Sequence, residues 1–459
     1  MKNNLELLRK KTLELLPQSI DELKTYVHFR SISAQKSSMT DTVRNVSAMI
    51  EATGGNVKIL ENIGANPVVF GYFKAGPNGN TKRTLLFYNH YDVQPPEPLE
   101  EWDSDPFTLT IREGKLYARG VSDNKGDLVV RLTAIRLLQS LEGGLPCNIK
   151  ILVEGEEEIG SRNLEAYITS NPDLFTADAC IWEFGEKDQQ ERAHMVAGVK
   201  GMVYLQLSCT GADVDIHSMA GAYIDNPAWR LVQALASLKS AENEILVEGF
   251  YDGVIHPSVE ERETARRIPF DEEHVKSLYG LKLPLITDAK QQDPREAMMY
   301  EPTMTICGIE SGYYGEGSKT VLPRKALAKL DCRIVMGQEP EHIANCIERH
   351  LVKHGFKDIE VELLNAQRAY RSDLSHPFFS IVVTAAQEVY GTEIVLEPSS
   401  AGSGPMYEIG QLLHMPIAST GVGWFDSRYH APNESIRAQD FEQGIVYIAH
   451  LLCEFGKIN

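Results

Sequence analysis

Hydrophobic residues occur in two patterns along the first two hundred residues of the chain. Two continuous apolar runs, TLLFY and IKILV, are typical of strands that helices cover on both faces. Apolar residues at helical spacing predict helices near residues 3–27 and 41–53, and a third helix after Lys125. This alternation predicts an α/β fold with a mixed, mostly parallel sheet covered by helices on both faces.

A different pattern begins near residue 200 and ends near residue 370. Its order is strand, helix, strand, strand, helix, strand, as in a small α+β unit of ferredoxin-like type. The stretch from about 240 to 300 shows no clear periodicity. Because the first pattern then resumes, the sequence predicts a larger domain in two parts, residues 1–200 and 371–459, with residues 201–370 inserted as a smaller domain.

Length and charge narrow the classes of function. The 459 residues exceed the size at which one hydrophobic core usually stops growing, so two domains are expected. Acidic residues outnumber basic ones by 64 to 45, the net charge is −19, and no Lys/Arg-rich stretch could neutralise a phosphate backbone. We therefore expect no nucleic-acid partner.

The sequence pattern also argues against secretion and membrane association. The amino-terminal segment alternates apolar and charged residues, unlike the uninterrupted apolar core of a signal peptide. No run approaches the roughly twenty apolar residues that a membrane span needs. The seven cysteines form no C-x-x-C pair and are typical of buried thiols in a reducing compartment. We expect a cytoplasmic protein.

Polar residues follow the predicted apolar strands. His90 and Asp92 follow TLLFY, Glu156–Glu158 follow IKILV, and Glu183 ends the run ACIW. In open α/β sheets, ligands bind beyond the carboxyl ends of the strands. Strand alternation places His90 and Asp92 on one face, where the carboxylate can orient a metal-binding imidazole. Taken alone, each of these motifs is also compatible with an ordinary solvated surface.

Two loop residues complete a set of potential ligands. Asp123 lies in a glycine-flanked turn before a helix, where it could simply be a helix cap, and His430 lies in a loop before the last helix. Three adjacent glutamates repel one another unless solvent or cations compensate their charge. Two histidines, one aspartate and two or three glutamates fit two divalent ions that share a carboxylate, and such ligands suit zinc or manganese.

An ordered series of motifs resembles a known enzyme family. The motifs run through nearly the whole chain: NHYDVQPPEPLEEWDSDPFTLTIREGKLYARGVSDNKGD, EGEEEIGS, the region around His217, LDCRIV, SAGSGP and YHAPNE. They resemble the dinuclear-metal peptidases that include carboxypeptidase G, acetylornithine and succinyl-diaminopimelate deacylases, and aminoacylase. The similarity is closest to the branch of the cytosolic non-specific dipeptidase, or carnosinase. It implies that the larger domain is catalytic and that the inserted domain is a lid and dimerisation domain.

The resemblance implies which residues bind two divalent ions, with zinc expected and manganese as the alternative. One ion is expected on His90, Asp123 and Glu183, and the other on Asp123, Glu158 and His430. Asp123 is then the bridging ligand.

Further roles are carried over from the same resemblance. Asp92 is expected to orient His90, Glu157 to act as the general base, and Glu156 to have no role in the reaction. His217 is expected to reach into the active site of the partner subunit of a homodimer and stabilise the oxyanion. Substrate-binding residues are expected in the inserted domain and in the SAGSGP segment: Arg333 for the substrate carboxylate, and Gly402, Ser403 and Gly404 in a binding loop.

The expected function is hydrolysis of the amide bond of dipeptides or similar small peptides, with a water between the two ions as nucleophile. One alternative is a deacylase or aminoacylase that acts on N-acyl amino acids. A second alternative is a non-catalytic binding protein on the same fold. The presence of Glu157 argues against the second alternative, because a binding protein has no use for a spare base.

Overall fold

Helices and strands alternate over residues 2–62 and 64–458, the residues that the computed structural model describes. The helices are α1 (Lys2–Val27), α2 (Met39–Ala52), α3 (Gly126–Gln139), α4 (Leu164–Ser170), α5 (Pro172–Phe175), α6 (Pro227–Leu238), α7 (Val259–Arg267), α8 (Glu272–Tyr279), α9 (Ile286–Lys290), α10 (Pro294–Tyr300), α11 (Pro340–Lys353), α12 (Pro377–Tyr390), α13 (Met406–Gly410) and α14 (Ala438–Phe455).

The strands are short outside the two main sheets. They are β1 (Asn56–Leu60), β2 (Val68–Phe73), β3 (Asn80–His90), β4 (Thr110–Arg112), β5 (Lys115–Tyr117), β6 (Cys147–Glu154), β7 (Ala179–Trp182), β8 (Glu186–Lys187), β9 (Ala193–Val196), β10 (Gly198–Val199), β11 (Gly201–Thr210), β12 (Ile216–His217), β13 (Thr303–Ser311), β14 (Val321–Leu322), β15 (Lys325–Ile334), β16 (Ile359–Gln367), β17 (Tyr370–Arg371), β18 (Ile394–Glu397), β19 (Ile417–Ser419), β20 (Gly423–Trp424) and β21 (Ser435–Arg437).

A mixed, mostly parallel sheet carries the polar strand ends. Its strand order is β1-β2-β6-β3-β7-β19. Strands β6, β3, β7 and β19 pair in parallel, whereas β1 and β2 pair in antiparallel fashion at one edge. Leu85 to His90 are buried at every position, as expected for a strand with both faces covered. The predicted α/β fold is confirmed, and the carboxyl ends of three parallel strands meet at one edge.

Helices pack together around the apolar core of this first unit. Helix α14 contacts α1, α3 and α12, while α2 packs on β1 and β2. Helix α3 is buried on nearly all sides, which explains why its sequence LVVRLTAIRLL shows almost no polar face. The unit comprises the described residues up to Gly198, Ser372–Pro398, and the described residues from Pro405 onward.

The second unit comprises Val199–Arg371 together with Ser399–Gly404. Its sheet has the order β13-β15-β11-β16 with antiparallel pairing throughout, and α6 and α11 pack on it. The chain order β11, α6, β13, β15, α11, β16 is the one that the sequence pattern predicts. The unpatterned stretch forms the short helices α7 to α10. The segment Ser399–Gly404 lies with this unit, although the division by sequence placed it in the C-terminal part of the larger domain.

Two further observations concern the described residues. None of their helices combines the length and the apolar character needed to cross a membrane. Their seven cysteines are all free thiols, as the absence of C-x-x-C pairs predicts.

Candidate metal centre

His90 lies at the end of β3 with its imidazole fully buried. Its Nε2 atom is 3.0 Å from Asp123 Oδ1 and 3.3 Å from Glu183 Oε2. Glu183 follows β7, the parallel neighbour of β3, so the sheet itself places the histidine and the glutamate side by side. Three potential ligands therefore converge at this strand edge.

A second histidine approaches Asp123 from another loop. His430 Nε2 lies 3.1 Å from Asp123 Oδ2 and 3.2 Å from Glu158 Oε2. The two carboxylate oxygens of Asp123 thus contact two different histidines. This is the arrangement that a carboxylate shared between two cations requires.

The same side chains form two overlapping groups that could each hold a metal ion. Ligand atoms lie within 4.8 Å of one another in the group His90, Asp123, Glu158 and in the group His90, Glu157, Glu183. Imidazole nitrogen and carboxylate oxygen are the donors that zinc and manganese accept. Glu157, expected as a base, thus lies near enough to these residues to bind an ion or act beside one.

Charge is concentrated at this site. Burial raises the pKa values of the Glu157 and Glu183 carboxyl groups well above the ordinary value. Burial also opposes ionisation of Asp123, but hydrogen bonds from the two histidines outweigh it and lower the Asp123 pKa. Hydrogen bonds to Asp123 and Glu158 raise the pKa of His430 to about 10. Without a cation the cluster therefore retains protons, which a divalent ion would displace.

The turn between β6 and the glutamates is tight. A Cβ atom on Gly155 would lie 2.2 Å from Cζ of Tyr91, so only glycine fits at this position. The chain then forms a 3-10 turn over Glu157–Ile159, which directs Glu158 towards His430. Glu156 turns away from the histidines, and its carboxylate accepts hydrogen bonds from Asn66 and Asn163.

Asp92 contacts both His90 and the glutamate turn. His90 Nδ1 lies 2.9 Å from the backbone oxygen of Asp92 and 3.4 Å from its Oδ1 atom. Asp92 Oδ2 accepts a hydrogen bond of 3.1 Å from the backbone nitrogen of Glu158. The residue predicted to orient His90 is thus in place, with its backbone carbonyl as the nearer acceptor.

The loop that carries Asp123 is held by a residue that the sequence reasoning did not assign. Asp123 does not cap α3, which begins without a side-chain cap. Instead, the buried carboxylate of Glu434 accepts hydrogen bonds from Arg119 Nη1 (2.7 Å) and from the backbone nitrogens of Gly120, Ser122 and Asp123 (2.8 to 3.1 Å). The position of Glu434 four residues after His430 was the available signal.

Three other polar residues around the ligands were also not predicted. Gln94 Nε2 donates a hydrogen bond of 2.8 Å to Glu158 Oε2. Asn124 Nδ2 donates to Glu183 Oε2, and Asn124 in turn accepts from Asn89. The only sequence signal for Asn89 and Asn124 was their position next to His90 and Asp123, and Gln94 lies two residues after Asp92.

The remaining predicted residues belong to the second unit. Arg333 Nη1 donates to Ser403 Oγ at 2.9 Å, while its Nε and Nη2 atoms donate to Asp331. Gly402 and Gly404 flank that serine, and the backbone nitrogen of Gly402 donates to Ser400. Arg333 and the SAGSGP loop are therefore neighbours. His217 is exposed at the end of β12, and its Nδ1 atom accepts from the backbone nitrogen of Met219 at 3.1 Å.

Comparison with known proteins identifies the family. Residues 86–454 match the model described as Peptidase family M20/M25/M40. The chain belongs to this family. The match covers the whole set of predicted ligands, from His90 to His430.

Relatives in family M20 extend over most of the chain. Beta-Ala-His dipeptidase of Homo sapiens is 27% identical over 432 residues, which is 91% of this chain and 84% of the relative. Cys-Gly metallodipeptidase dug1 of Schizosaccharomyces pombe is 28% identical, covering 86% of this chain and 83% of the relative. A solved structure, an M20 family metallo-carboxypeptidase from Sulfolobus solfataricus, is 36% identical with a TM-score of 0.88, covering 96% of this chain and 99% of that chain.

These comparisons confirm the resemblance stated from the motifs. The protein is a metal-dependent hydrolase of the M20 peptidases, and its mixed α/β fold is that of the family. The prediction of a divalent-metal centre is supported by the family and by the two groups of ligands.

Proposed function

We propose that this M20 peptidase hydrolyses dipeptides or similarly small peptides with two divalent ions. One ion is held by His90, Asp123 and Glu183, and the other by Asp123, Glu158 and His430. The observation that carries this proposal is the contact of each Asp123 carboxylate oxygen with a different histidine, at 3.0 and 3.1 Å. The dipeptidase names of the curated relatives support the choice of substrate class.

The ions would lower the pKa of a water molecule and polarise the scissile carbonyl. The chain itself supplies the base. Glu157 holds a carboxylate oxygen within 4.8 Å of ligand atoms of His90 and Glu183, and burial raises its pKa. A carboxyl group with a raised pKa can take a proton from the attacking water and return it to the leaving amine near neutral pH.

Substrate recognition and oxyanion stabilisation are assigned to the second unit. A planar guanidinium binds a carboxylate through two parallel hydrogen bonds, so Arg333, with Ser403 between Gly402 and Gly404, is proposed for the substrate carboxylate. The Arg333–Ser403 hydrogen bond supports their common role. His217 is proposed to donate to the oxyanion in the partner subunit of a homodimer, and its exposed imidazole supports this role.

The identity of the metal ion and the cytoplasmic location of the protein are part of the same proposal. Ligands of nitrogen and oxygen without a thiolate suit zinc first and manganese second. Seven free cysteines support a reducing, cytoplasmic environment. Metal analysis of protein purified without chelator, followed by reconstitution with each ion, tests the metal directly.

A second candidate is a carboxypeptidase that removes the last residue from longer or N-blocked peptides. The 36% identity to a metallo-carboxypeptidase favours it. A panel of free dipeptides, N-blocked dipeptides, longer peptides and N-acyl amino acids separates the candidates. Preference for free dipeptides supports the dipeptidase, preference for blocked or longer peptides supports the carboxypeptidase, and preference for N-acyl amino acids supports the deacylase.

The base assignment has a matched control in the adjacent residue. Glu157→Gln should bind metal normally while kcat falls by about a hundredfold to ten-thousandfold. Glu156→Gln should keep kcat near the wild-type value, because its side chain contacts Asn66 and Asn163 instead of the ligands. Wild-type kcat in Glu157→Gln would show that another group is the base.

Mixing two inactive variants tests the homodimer and the role of His217 together. If His217 serves the partner subunit, a heterodimer of Glu157→Gln and His217→Ala subunits has one complete site. After subunit exchange the mixture should recover about a quarter of wild-type activity. No recovery in a mixture shown by mass spectrometry to contain heterodimers would place His217 outside the partner's site.

A further inference from the structure

Helix α3 carries a fully buried arginine behind the metal centre. The Arg131 side chain is 1% exposed, and its guanidinium donates to the backbone oxygens of Tyr88 and Trp182, at 2.5 and 2.7 Å. Tyr88 lies two residues before His90, and Trp182 lies one residue before Glu183. Arg131 thus joins the carboxyl ends of β3 and β7, the two strands that present these ligands.

A continuous line of hydrogen bonds leads from Arg131 to Glu183. Arg131 Nη1 donates to Asn89 Oδ1 at 2.7 Å, and Asn89 Nδ2 donates to Asn124 Oδ1 at 3.2 Å. Asn124 Nδ2 then donates to Glu183 Oε2. Arginine has no acceptor, so it must be the donor at the start of the line. Each amide therefore accepts through oxygen and donates through nitrogen, and the direction of the whole line is fixed.

The line of hydrogen bonds ends at the carboxylate oxygen of Glu183 that lies beside His90. Glu183 Oε2 is both the acceptor for Asn124 and the atom 3.3 Å from His90 Nε2. Asn89, Asn124 and Arg131 are each 1% exposed or less, so water does not replace these bonds. A buried carboxylate held by a buried amide has little rotational freedom.

Glu158 and His430, which are proposed to bind the other ion, are held differently. Glu158 receives its hydrogen bond from Gln94, and the side chain of His430 is 52% exposed. Among the described residues, neither Glu158 nor His430 forms a hydrogen bond with Asn89 or Asn124. The buried line therefore acts on Glu183 and not on Glu158.

We propose that Arg131, Asn89 and Asn124 are positioning residues that fix Glu183 for the ion on His90, Asp123 and Glu183. The inference rests on the proposed function only in that this group binds an ion. Hydrogen bonds to the ligands of a metal orient them, and their loss typically weakens metal affinity by about 10- to 100-fold. Replacement of any of these three residues should weaken the binding of this ion and leave the binding of the other ion unchanged.

The test measures metal affinity in two variants of the protein, each of which keeps the complete set of proposed ligands for only one of the two ions. His430→Ala keeps the three proposed ligands of one ion, His90, Asp123 and Glu183. His90→Ala keeps the three proposed ligands of the other ion, Asp123, Glu158 and His430. Asn89→Ala and Asn124→Ala are added to each background, and binding of Zn²⁺ or Mn²⁺ is measured by equilibrium dialysis. In the His430→Ala background, each of the two asparagine substitutions should weaken metal binding by about 10- to 100-fold. In the His90→Ala background they should change it less than about twofold, within the uncertainty of such a comparison.

Gln94→Ala is the converse control. Because Gln94 contacts Glu158 and not Glu183, this variant should weaken binding in the His90→Ala background and leave it unchanged in the His430→Ala background. A double substitution, Asn89→Ala with Asn124→Ala, should weaken binding no more than the stronger single substitution. Neighbouring members of one line share their effect and are not additive.

Arg131→Met tests the start of the line, and Arg136→Met is its matched control on the same helix. Arg136 is paired with Glu22 and has no contact with the line, so its replacement should leave metal affinity unchanged. Should Arg131→Met fail to fold, the asparagine variants decide the proposal.

Equal weakening in both backgrounds, or unchanged binding in the His430→Ala background, would overturn the positioning role. Wild-type protein that binds two ions while the asparagine variants bind normally overturns only this inference. Wild-type protein that binds no divalent ion overturns the proposed function as well. The two failures are therefore distinguishable without any assay of activity.

Discussion

A single buried carboxylate holds the backbone that presents Asp123. Glu434 is completely buried and pairs with Arg119, which is itself 1% exposed. Removal of one partner from a buried ion pair leaves an uncompensated charge, which typically costs about 3 to 5 kcal/mol. We therefore expect Glu434→Gln to lower the free energy of unfolding by about that amount and to weaken metal binding, as measured by urea unfolding and equilibrium dialysis.

A surface pair of the same residue types provides the control. Glu191 makes two hydrogen bonds to Arg437, but its side chain is 51% exposed. Solvent screens such pairs, so Glu191→Gln should cost no more than about 1 kcal/mol. Similar losses for the two variants would mean that burial does not determine the contribution of Glu434.

His194 should make stability depend on pH away from the metal centre. Burial lowers its pKa, but hydrogen bonds to Glu397 and Asp188, at 2.7 and 3.2 Å, outweigh burial and raise it. A histidine whose pKa is raised by folding stabilises the fold fully below its unfolded pKa of about 6.5, and this stabilisation is lost as pH rises through the folded pKa.

The comparison with His194→Gln isolates this effect. The free energy of unfolding of the wild type should exceed that of the variant most at about pH 5.5, below the unfolded pKa of histidine. The difference should shrink as pH rises to about 9. A difference that is constant across this range would indicate that folding leaves the pKa of His194 unchanged, and a difference that grows with pH would indicate that His194 is neutral in the fold.

The loops that precede β8 and β20 approach each other through two glycines, Gly185 and Gly421. A Cβ atom on Gly185 would lie 2.3 Å from the backbone nitrogen of Gly421, so the two loops must separate to accept one. Gly185→Ala should lower stability by about 1 to 3 kcal/mol and weaken metal binding through Glu183. Gly308 in β13 is the control, because a Cβ atom there has nothing within 4 Å. Thermal unfolding should show a loss for Gly185→Ala and none for Gly308→Ala.

The elements that bring the ligands together differ in how well the sequence predicts them. Strands β3 and β6 are continuous apolar runs, so their buried, parallel arrangement and their polar ends follow from local pattern alone. The pairing of Arg119 with Glu434 joins positions 315 residues apart, and no periodicity encodes such a contact. Helices α7 to α9 are short and largely exposed, so no apolar face repeats often enough to predict them.

The residues proposed for substrate recognition show the same limit at the level of domains. The segment Ser399–Gly404 begins two residues after the end of β18 in the first unit, and its sequence is rich in serine and glycine. Composition predicts a loop there but not the unit to which the loop belongs. The contact of Ser403 with Arg333 explains why it lies with the second unit.

The described residues of the whole molecule form two large hydrophobic cores. One comprises residues of the first unit, including the buried side chains of α3 and α14, and the other comprises residues of the second unit, such as Leu207 and Leu330. Units with their own cores often unfold as separate transitions. The proposed metal ligands all belong to the first unit, so an ion should stabilise only one of the two.

Removal of metal should therefore shift one calorimetric transition and leave the other in place. An ion present at a hundred times its Kd stabilises the state that binds it by about 2.7 kcal/mol, and chelation should remove this stabilisation together with activity. Leu207→Ala removes a side chain from the core of the second unit. It should lower the free energy of unfolding of that unit by about 2 to 5 kcal/mol and so affect the transition that chelator leaves in place. Readdition of Zn²⁺ or Mn²⁺ should restore the first transition and the activity in parallel. If chelation lowers both transitions equally, the ions act on the fold as a whole, and the assignment of all their ligands to the first unit does not account for their effect.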